Sequence, residues 1–156
     1  PVTMRAVLST GSNMENFRAH LASVVRAFGP EVMAQSSLYR SAPWGGIEQE
    51  AFLNQALLID APLDDPFTLL NRCQELERAA NRVREVRWGP RTLDVDIVDI
   101  EGFTSTHPVL TVPHPRAHER EFVLRPWLEI DPEAHLNGEP VRDILARLEP
   151  QGVEKL

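Results

Sequence analysis

The sequence predicts an α+β domain in which two helices pack on one face of a four-stranded antiparallel sheet. Three observations indicate this class: short apolar runs alternate with two segments of helical periodicity, the elements follow in the order βαββαβ, and a proline-rich segment comes last. This order is the ferredoxin-like arrangement. We expect residues 100–156 to form an irregular extension, with a short helix at 141–148, and residues 1–156 to form a single domain.

The first half of the chain supplies two strands and one helix. Residues 4–10, MRAVLST, predict a strand, and the Gly-Ser-Asn that follows at 11–13 is typical of a turn and helix N-cap. Apolar residues at helical spacing predict a helix over 14–28, and residues 32–39 predict the second strand. Residues 40–51 contain Pro43, Gly45 and Gly46 and predict a long loop, which in a compact domain is usually functional or disordered.

The second half repeats the pattern. Residues 52–60 predict a strand, and apolar residues at helical spacing predict a second helix over 67–83. Residues 84–91 predict another loop, which contains Gly and Pro. Residues 92–99 alternate between apolar and acidic side chains and predict the fourth strand.

Composition excludes several classes of protein. The net charge of −7 argues against a surface whose main role is to bind nucleic acid. No apolar run approaches the roughly 20 residues that span a bilayer, and the N-terminal residues lack the pattern of a signal peptide. A lone cysteine, Cys73, cannot form an internal disulfide, which fits a reducing compartment. We therefore expect a cytoplasmic protein.

Asp94 and Asp96 are the most informative residues of the chain. They lie two apart on the predicted fourth strand, so both side chains leave the same face. Two adjacent carboxylates suit Mg²⁺, which commonly takes one or two carboxylates together with substrate phosphates. An isolated pair of this kind is more often a solvated strand face or a partner of arginines. The cations Arg82, Arg84 and Arg91 just before it favour transfer of a polyphosphate group, whose charge must be neutralised.

Residues 87–98, RWGPRTLDVDIV, closely resemble the signature of the 6-hydroxymethyl-7,8-dihydropterin pyrophosphokinases. Further matches occur in the same order along nearly the whole chain: GSN at 11–13, SSLYRSAPWG at 36–45, FLN at 52–54, Gln74 and Glu77, RVR at 82–84, TVPH at 111–114, Arg120 and Phe122. The ordered set is more specific than the signature alone.

The resemblance implies a reaction of folate biosynthesis. In that family the hydroxymethyl oxygen of the pterin attacks the β-phosphorus of ATP, the co-substrate, and the β,γ-pyrophosphoryl group moves as a unit to leave AMP. By this analogy Asp94 and Asp96 hold two Mg²⁺ ions, and Arg82 and Arg91 contact the phosphates as further catalytic residues. Positioning and charge neutralisation supply most of the catalysis in such transfers.

The same resemblance implies the residues that bind the substrates. The pterin would contact Ser41, Ala42, Phe52, Asn54 and Phe122. The nucleotide would contact Gln74, Glu77, Arg84, Trp88, His114 and Arg120. Simpler interpretations remain open: core packing for the two phenylalanines, an exposed helix face for Gln74, a solvated helix end for Arg84, loop packing for Trp88 and a structural histidine for His114.

Two other functions fit parts of the pattern. A nucleotidyltransferase with a Gly-Ser turn and an acidic pair would use Gly11-Ser12 with Asp94 and Asp96. In nucleotidyltransferases of that type the two motifs lie close together in the chain, whereas here most of the domain separates them. A ferredoxin-like nucleic-acid binder would stack bases on sheet aromatics, yet only 6% of the residues are aromatic. We therefore expect small-molecule substrates, pterin and ATP, for a monomer that acts without nucleic acid or membrane. Association with other folate enzymes is a further expectation.

Overall fold

The computed structural model describes residues 3–13, 17–41, 52–83 and 93–156, and for 81–83 it describes the backbone alone. The helices and strands, in chain order, are β1 Met4–Ser12, α1 Phe17–Phe28, β2 Val32–Gln35, β3 Tyr39–Ser41, β4 Phe52–Ala61, α2 Pro66–Val83, β5 Leu93–Ile100, β6 Ser105–Thr106, β7 Thr111–Val112, α3 Glu121–Ile130, β8 His135–Leu136, β9 Glu139–Pro140, α4 Val141–Arg147 and β10 Glu154–Lys155.

The main sheet is antiparallel, with β1 near its centre. β1 pairs with β4 on one side, from Met4↔Ala61 to Ser12↔Leu53, and with β5 on the other. β2 and β3 both pair with β4, and β10 adds to β3. The predicted ferredoxin-like order of strands is therefore confirmed. The predicted second strand is divided, because the hydroxyl of Ser36 accepts a hydrogen bond from the Ala56 backbone N–H (2.9 Å) where the ladder is interrupted.

α1 and α2 cover one face of this sheet, as their periodicity predicts. Leu21, Val24 and Phe28 of α1 recur at helical spacing and are 2% exposed or less. They pack with the inward-facing residues of α2 and of the central strands, among them Leu8 and Leu57. Full burial of such an aliphatic or aromatic side chain contributes roughly 1.5–3 kcal/mol each. This cluster is the larger of two cores.

The C-terminal segment covers the opposite face and contains more regular structure than we expected. Its ten-residue helix α3 buries Leu124 and Trp127 against Val7 and Val98 of the sheet, and α4 packs beside it. Pro126 lies inside α3, where a proline removes a backbone hydrogen bond and usually ends a helix. Burial of the neighbouring large side chains offsets that cost, which the local sequence does not reveal.

Along the described part of the chain, no helix combines the length and the apolar character that crossing a membrane requires.

Candidate active site

A cavity of about 210 Å³ opens on the face of the sheet that α3 partly covers. It lies at the end of the sheet where β1 finishes and β4 and β5 begin. The lining residues are Ser9, Gly11, Ser41, Phe52, Asn54, Asp94, Asp96, Arg120 and Phe122. On each strand these residues alternate in sequence, because side chains of a strand point to opposite faces in turn. The fold thus gathers residues from the four strands β1, β3, β4 and β5 and from the start of α3.

Small residues of β1 make room for this cavity. Gly11 is paired with Asn54 on β4 and with Asp94 on β5, so these three residues form one row across the sheet. A Cβ atom at Gly11 would lie 3.0 Å from Asn54 Oδ1 and 3.6 Å from the Leu53 carbonyl oxygen. The prediction of a turn at Gly11 is wrong, because β1 continues through Ser12. A glycine is needed there because a side chain would displace the Asn54 amide.

One wall of the cavity combines aromatic and polar groups. Phe52 and Phe122 are half-buried and both border it. The Asn54 Nδ2 group donates to Ser41 Oγ at 2.8 Å, and both residues are buried. The guanidinium carbon of Arg120 lies 5.6 Å from the centre of the Phe122 ring. Flat rings beside an oriented amide suit a planar heterocycle with hydrogen-bonding edges.

Asp94 and Asp96 form the opposite wall. Val98, two residues further along β5, belongs to the second core, whereas Leu93, Val95 and Ile97 belong to the first, so the two carboxylates share the cavity face as predicted. Burial raises the pKa of both carboxyls, and the charge of Asp96 raises the pKa of Asp94 further, while Arg120 opposes both shifts. Asp94 still has exposed surface because the cavity admits water. The surrounding protein nevertheless displaces much of the water from its carboxyl group, which is why burial raises its pKa.

A second cavity of about 300 Å³ lies on the other side of β5, between α2 and residues 108–115. Gln74, Glu77 and His114 line it, and Asp96 borders it as well as the first cavity. Glu77 Oε2 accepts a hydrogen bond from the Val95 backbone N–H at 2.9 Å. Burial is the main cause that raises the pKa of Glu77, the Val95 hydrogen bond opposes it, and the charges of Asp96 and Asp94 add to it. Glu77 therefore braces the strand segment between the two aspartates.

His114 is held by two backbone contacts. Its own N–H donates to the Val98 carbonyl oxygen at 2.8 Å, and its Nδ1 accepts from the Arg116 backbone N–H at 3.2 Å. Burial lowers the pKa of His114, and the charges of Arg120 and Arg116 lower it further. The neutral imidazole therefore carries its proton on Nε2, since Nδ1 serves as the acceptor.

The structure brings together most of the predicted site residues that it describes. The first cavity collects Ser41, Phe52, Asn54, Asp94, Asp96, Arg120 and Phe122. The second collects Gln74, Glu77, Asp96 and His114. Arg120, which we expected on the nucleotide side, lies beside the aromatic wall. Ala42, Arg84, Trp88 and Arg91 lie outside the described residues, as does the side chain of Arg82.

Several residues that line the two cavities are not among those predicted from the sequence. Ser9 belongs to the first cavity, and Leu70, Val109 and Thr111 belong to the second. The change from apolar residues at 6–8 to small residues at 9–12 was a usable signal for Ser9. Val109 is 62% exposed, but a single valine in a proline-rich segment carries no such signal.

Comparison with known proteins decides the family. The model of the family 7,8-dihydro-6-hydroxymethylpterin-pyrophosphokinase matches residues 7–132, which include every described residue of both cavities. The chain belongs to this pyrophosphokinase family. The resemblance carried by residues 87–98 is thereby confirmed, and with it the class of enzyme, a pyrophosphokinase of folate biosynthesis. These findings give the nucleotidyltransferase alternative no support.

Curated relatives of the pyrophosphokinase family align over most of the chain. A 2-amino-4-hydroxy-6-hydroxymethyldihydropteridine pyrophosphokinase of Mycobacterium bovis is 46% identical, over 94% of this chain and 85% of its own length. The enzyme of the same name from Methylorubrum extorquens is 44% identical, over 97% of this chain and 98% of its own. The bifunctional protein FolKE of Lactococcus lactis is 38% identical over 90% of this chain, which spans 41% of that longer protein.

A solved structure supports the fold independently of sequence identity. The crystal structure of HPPK-DHPS from Plasmodium falciparum superposes with a TM-score of 0.72 over 94% of this chain, at 13% identity. The chain spans 45% of that protein. At this identity the match confirms the fold alone.

Proposed function

We propose that the chain transfers the β,γ-pyrophosphoryl group of ATP to the hydroxymethyl group of 6-hydroxymethyl-7,8-dihydropterin, releasing AMP and the pterin pyrophosphate. The observation that carries this proposal is the position of Asp96, which borders both cavities. An acceptor in the first cavity and a polyphosphate donor in the second would meet at the aspartate pair. A reaction between two bound substrates needs that proximity.

The pterin is assigned to the first cavity. Phe52 and Phe122 would stack on its flat ring, which is worth about 0.5–1.5 kcal/mol beyond the area buried. The Nδ2 group of Asn54 already donates to Ser41, which orients the amide and its Oδ1 oxygen. That oxygen would accept from an N–H group on the pterin edge, and Ser41 and Ala42 would add contacts from the adjoining loop.

The aspartate pair fits a divalent cation site. Both carboxylates border the first cavity. Burial raises the pKa of both, the charge of Asp96 raises the pKa of Asp94 further, and the charge of Arg120 opposes both shifts. Among the residues that the structure describes, no third His, Cys, Asp or Glu joins them to form a metal-binding group. Such a two-carboxylate set suits Mg²⁺, which keeps sites for phosphate oxygens. We assign two Mg²⁺ ions to Asp94 and Asp96, where they would neutralise charge on the transferring group.

The nucleotide is assigned to the second cavity. The neutral His114 would donate from Nε2 to a phosphate or ribose oxygen, because Nδ1 is occupied by the Arg116 N–H. Gln74 would contribute its amide, and Glu77 would keep the strand between the aspartates in place. From the sequence we assign Arg82, Arg84 and Arg91 to phosphate binding and Trp88 to a cover over the nucleotide.

We also propose that residues 1–156 act as one domain, as a cytoplasmic monomer. The two cores lie on opposite faces of the same sheet, which supports one folding unit. The buried, unpaired Cys73 fits a reducing compartment. Association with other folate enzymes is consistent with the bifunctional name of the Lactococcus lactis relative and with the HPPK-DHPS structure.

A product assay tests the proposal. The protein is incubated with ATP, MgCl₂ and the hydroxymethyl-dihydropterin, and the nucleotides are separated chromatographically. We expect AMP and pterin pyrophosphate in equal amounts, and no AMP when the pterin is omitted. Release of ADP would indicate ordinary kinase chemistry, and release of free pyrophosphate would indicate nucleotidyl transfer; either would refute the proposal.

A further inference from the structure

Gln151, near the C-terminal end of the chain, is hydrogen bonded to the segment that begins α3. Its backbone N–H donates to Glu121 Oε1 at 2.8 Å, and its side-chain Oε1 accepts from the Glu121 backbone N–H at 3.0 Å. Its Nε2 group donates to the Glu119 carbonyl oxygen at 2.9 Å. Three hydrogen bonds thus join residues 30 or 32 positions apart in the chain.

Glu121 is an unusual residue in this contact. It is 5% exposed and is the one charged residue among the buried polar residues of the described chain. Its second carboxylate oxygen accepts from Arg125 Nε at 2.9 Å and Nη2 at 2.6 Å. A buried carboxylate is tolerated when its oxygens are satisfied, and removal of one partner is costly. The carboxylate is therefore held in one orientation from both sides.

The contact also supplies a helix cap that the local sequence lacks. Arg120 occupies the N-cap position of α3 and makes no side-chain capping hydrogen bond. The first N–H groups of a helix have no partner within the helix. Gln151 Oε1 satisfies that of Glu121, so a residue distant in sequence determines where α3 begins.

The residues on either side of Glu121 line the first cavity. Arg120 and Phe122 both border it, and the Arg120 guanidinium lies over the Phe122 ring. Because the Glu121 side chain is committed to Gln151 and Arg125, the backbone that carries its two neighbours cannot rotate independently. The orientation of one cavity wall therefore depends on the tail of the chain.

We propose that Glu121 and Gln151 form a latch that positions Phe122 and Arg120 against the pterin, and so sets the affinity for that substrate. Both are positioning residues, since they act through their neighbours and do not line the cavity. The inference rests on the proposed assignment of the pterin to the first cavity. Loss of the latch raises the KM for the pterin roughly 3- to 10-fold, the range expected when one aromatic contact is misplaced, and leaves kcat nearly unchanged.

The test compares Gln151→Ala and Gln151→Met with a variant of similar stability on the opposite face of the sheet. Val24→Ala serves as that control, because Val24 is fully buried in the first core and borders neither cavity. Steady-state kinetics give KM and kcat, and calorimetric titration gives the dissociation constant for the pterin. Hydrogen exchange gives the protection of the amides at 120–123. We expect both Gln151 variants to lose affinity and protection there, and Val24→Ala to lose stability alone.

A double-mutant cycle and one further variant distinguish failure of the latch from failure of the proposed pterin site. Glu121→Ala combined with Gln151→Ala should raise the KM for the pterin no more than either change alone, because both remove the same contact. Additive effects would overturn the latch. Loss of pterin affinity in Phe122→Ala with normal affinity in the Gln151 variants would also overturn it and leave the proposed site standing. Normal affinity in Phe122→Ala would overturn both the site and the latch.

Discussion

Replacement of Asp96 by Asn should abolish activity and at the same time stabilise the metal-free protein. The substitution removes one negative charge and preserves the shape of the side chain. Asp96 borders both cavities, so its loss affects the point where the proposed sites of the two substrates meet. Removal of one preorganised electrostatic group typically lowers kcat by about 10²–10³-fold, or about 2.7–4 kcal/mol. We expect the upper end of that range.

The stabilising effect follows from the direction of the pKa shifts. Burial raises the pKa of Asp96 above its ordinary value of 3.8, and the charge of Asp96 also raises the pKa of Asp94. An acid whose pKa is raised by folding favours the folded state below its unfolded pKa and opposes folding once both states are ionised. At pH 7 the amide avoids this cost. Because the cavity admits water, we expect a gain of only about 1 kcal/mol, or roughly 2–4 °C in Tm.

Thermal melts with and without metal check the reasoning. In EDTA the variant should melt above the wild type, and the gain should shrink as the pH is lowered toward 3.8. With Mg²⁺ at ten times its Kd, the free energy of unfolding of the wild type should rise by about 1.4 kcal/mol, and that of the variant should rise much less. The Tm advantage that the variant has in EDTA should then disappear or reverse. Asp99→Asn, on the same strand but outside both cavities, is the matched control and should retain activity.

Three results would refute this account of the aspartate pair. Activity of Asp96→Asn within tenfold of the wild type would show that the carboxylate is not required for transfer. A lower Tm of the variant in EDTA would show that the pair stabilises the fold. A wild-type Tm that does not respond to Mg²⁺ would remove the assignment of the metal.

The remaining predictions concern Phe52 at the proposed pterin site, the hydrogen bonds of Glu129 on α3, and the thiol of Cys73. Phe52→Ala should raise the Kd for the pterin by up to about tenfold with normal ATP binding in a calorimetric titration; unchanged pterin affinity would place the ring elsewhere. Glu129→Gln should lower the free energy of unfolding by about 1–2 kcal/mol at pH 7, because Glu129 accepts hydrogen bonds from Tyr39 OH (2.6 Å) and from Ser37. Burial raises the pKa of Glu129, but the hydrogen bonds from Tyr39 and Ser37 outweigh burial and lower the pKa below 4.5. The stability that these bonds contribute is therefore present above pH 4.5 and is lost as the pH falls. If urea unfolding showed that Glu129→Gln lowers the free energy of unfolding equally at pH 7 and pH 4, this prediction would be contradicted. Cys73 is fully buried, and burial raises its pKa to about 12; a thiol reagent should therefore label it only after denaturation, and rapid labelling of the native protein would contradict this.

The sequence predicts some residues of the two proposed substrate sites and misses others. The pairs Asp94 with Asp96 and Phe52 with Asn54 are two apart on strands, so their common face follows from the geometry of an extended chain alone. No spacing in the sequence links Ser9 or Thr111 to these pairs. Ser9 comes near Asp96 through the register of β1 with β5, and Thr111 reaches the second cavity through the path of the C-terminal segment. The assignment of Arg120 to the nucleotide side came from resemblance, and the structure places it beside Phe122.

The sequence by itself determined the family, the order βαββαβ and the face on which the acidic pair lies. These properties follow from local periodicity and from a motif whose residues are adjacent in the chain. Only the tertiary structure decided that residues 100–156 form a second layer, that α3 continues through Pro126, and that Gln151 caps its start. Each of these depends on contacts between distant segments, where burial of Trp127 and pairing of Glu121 outweigh the local preferences of the chain.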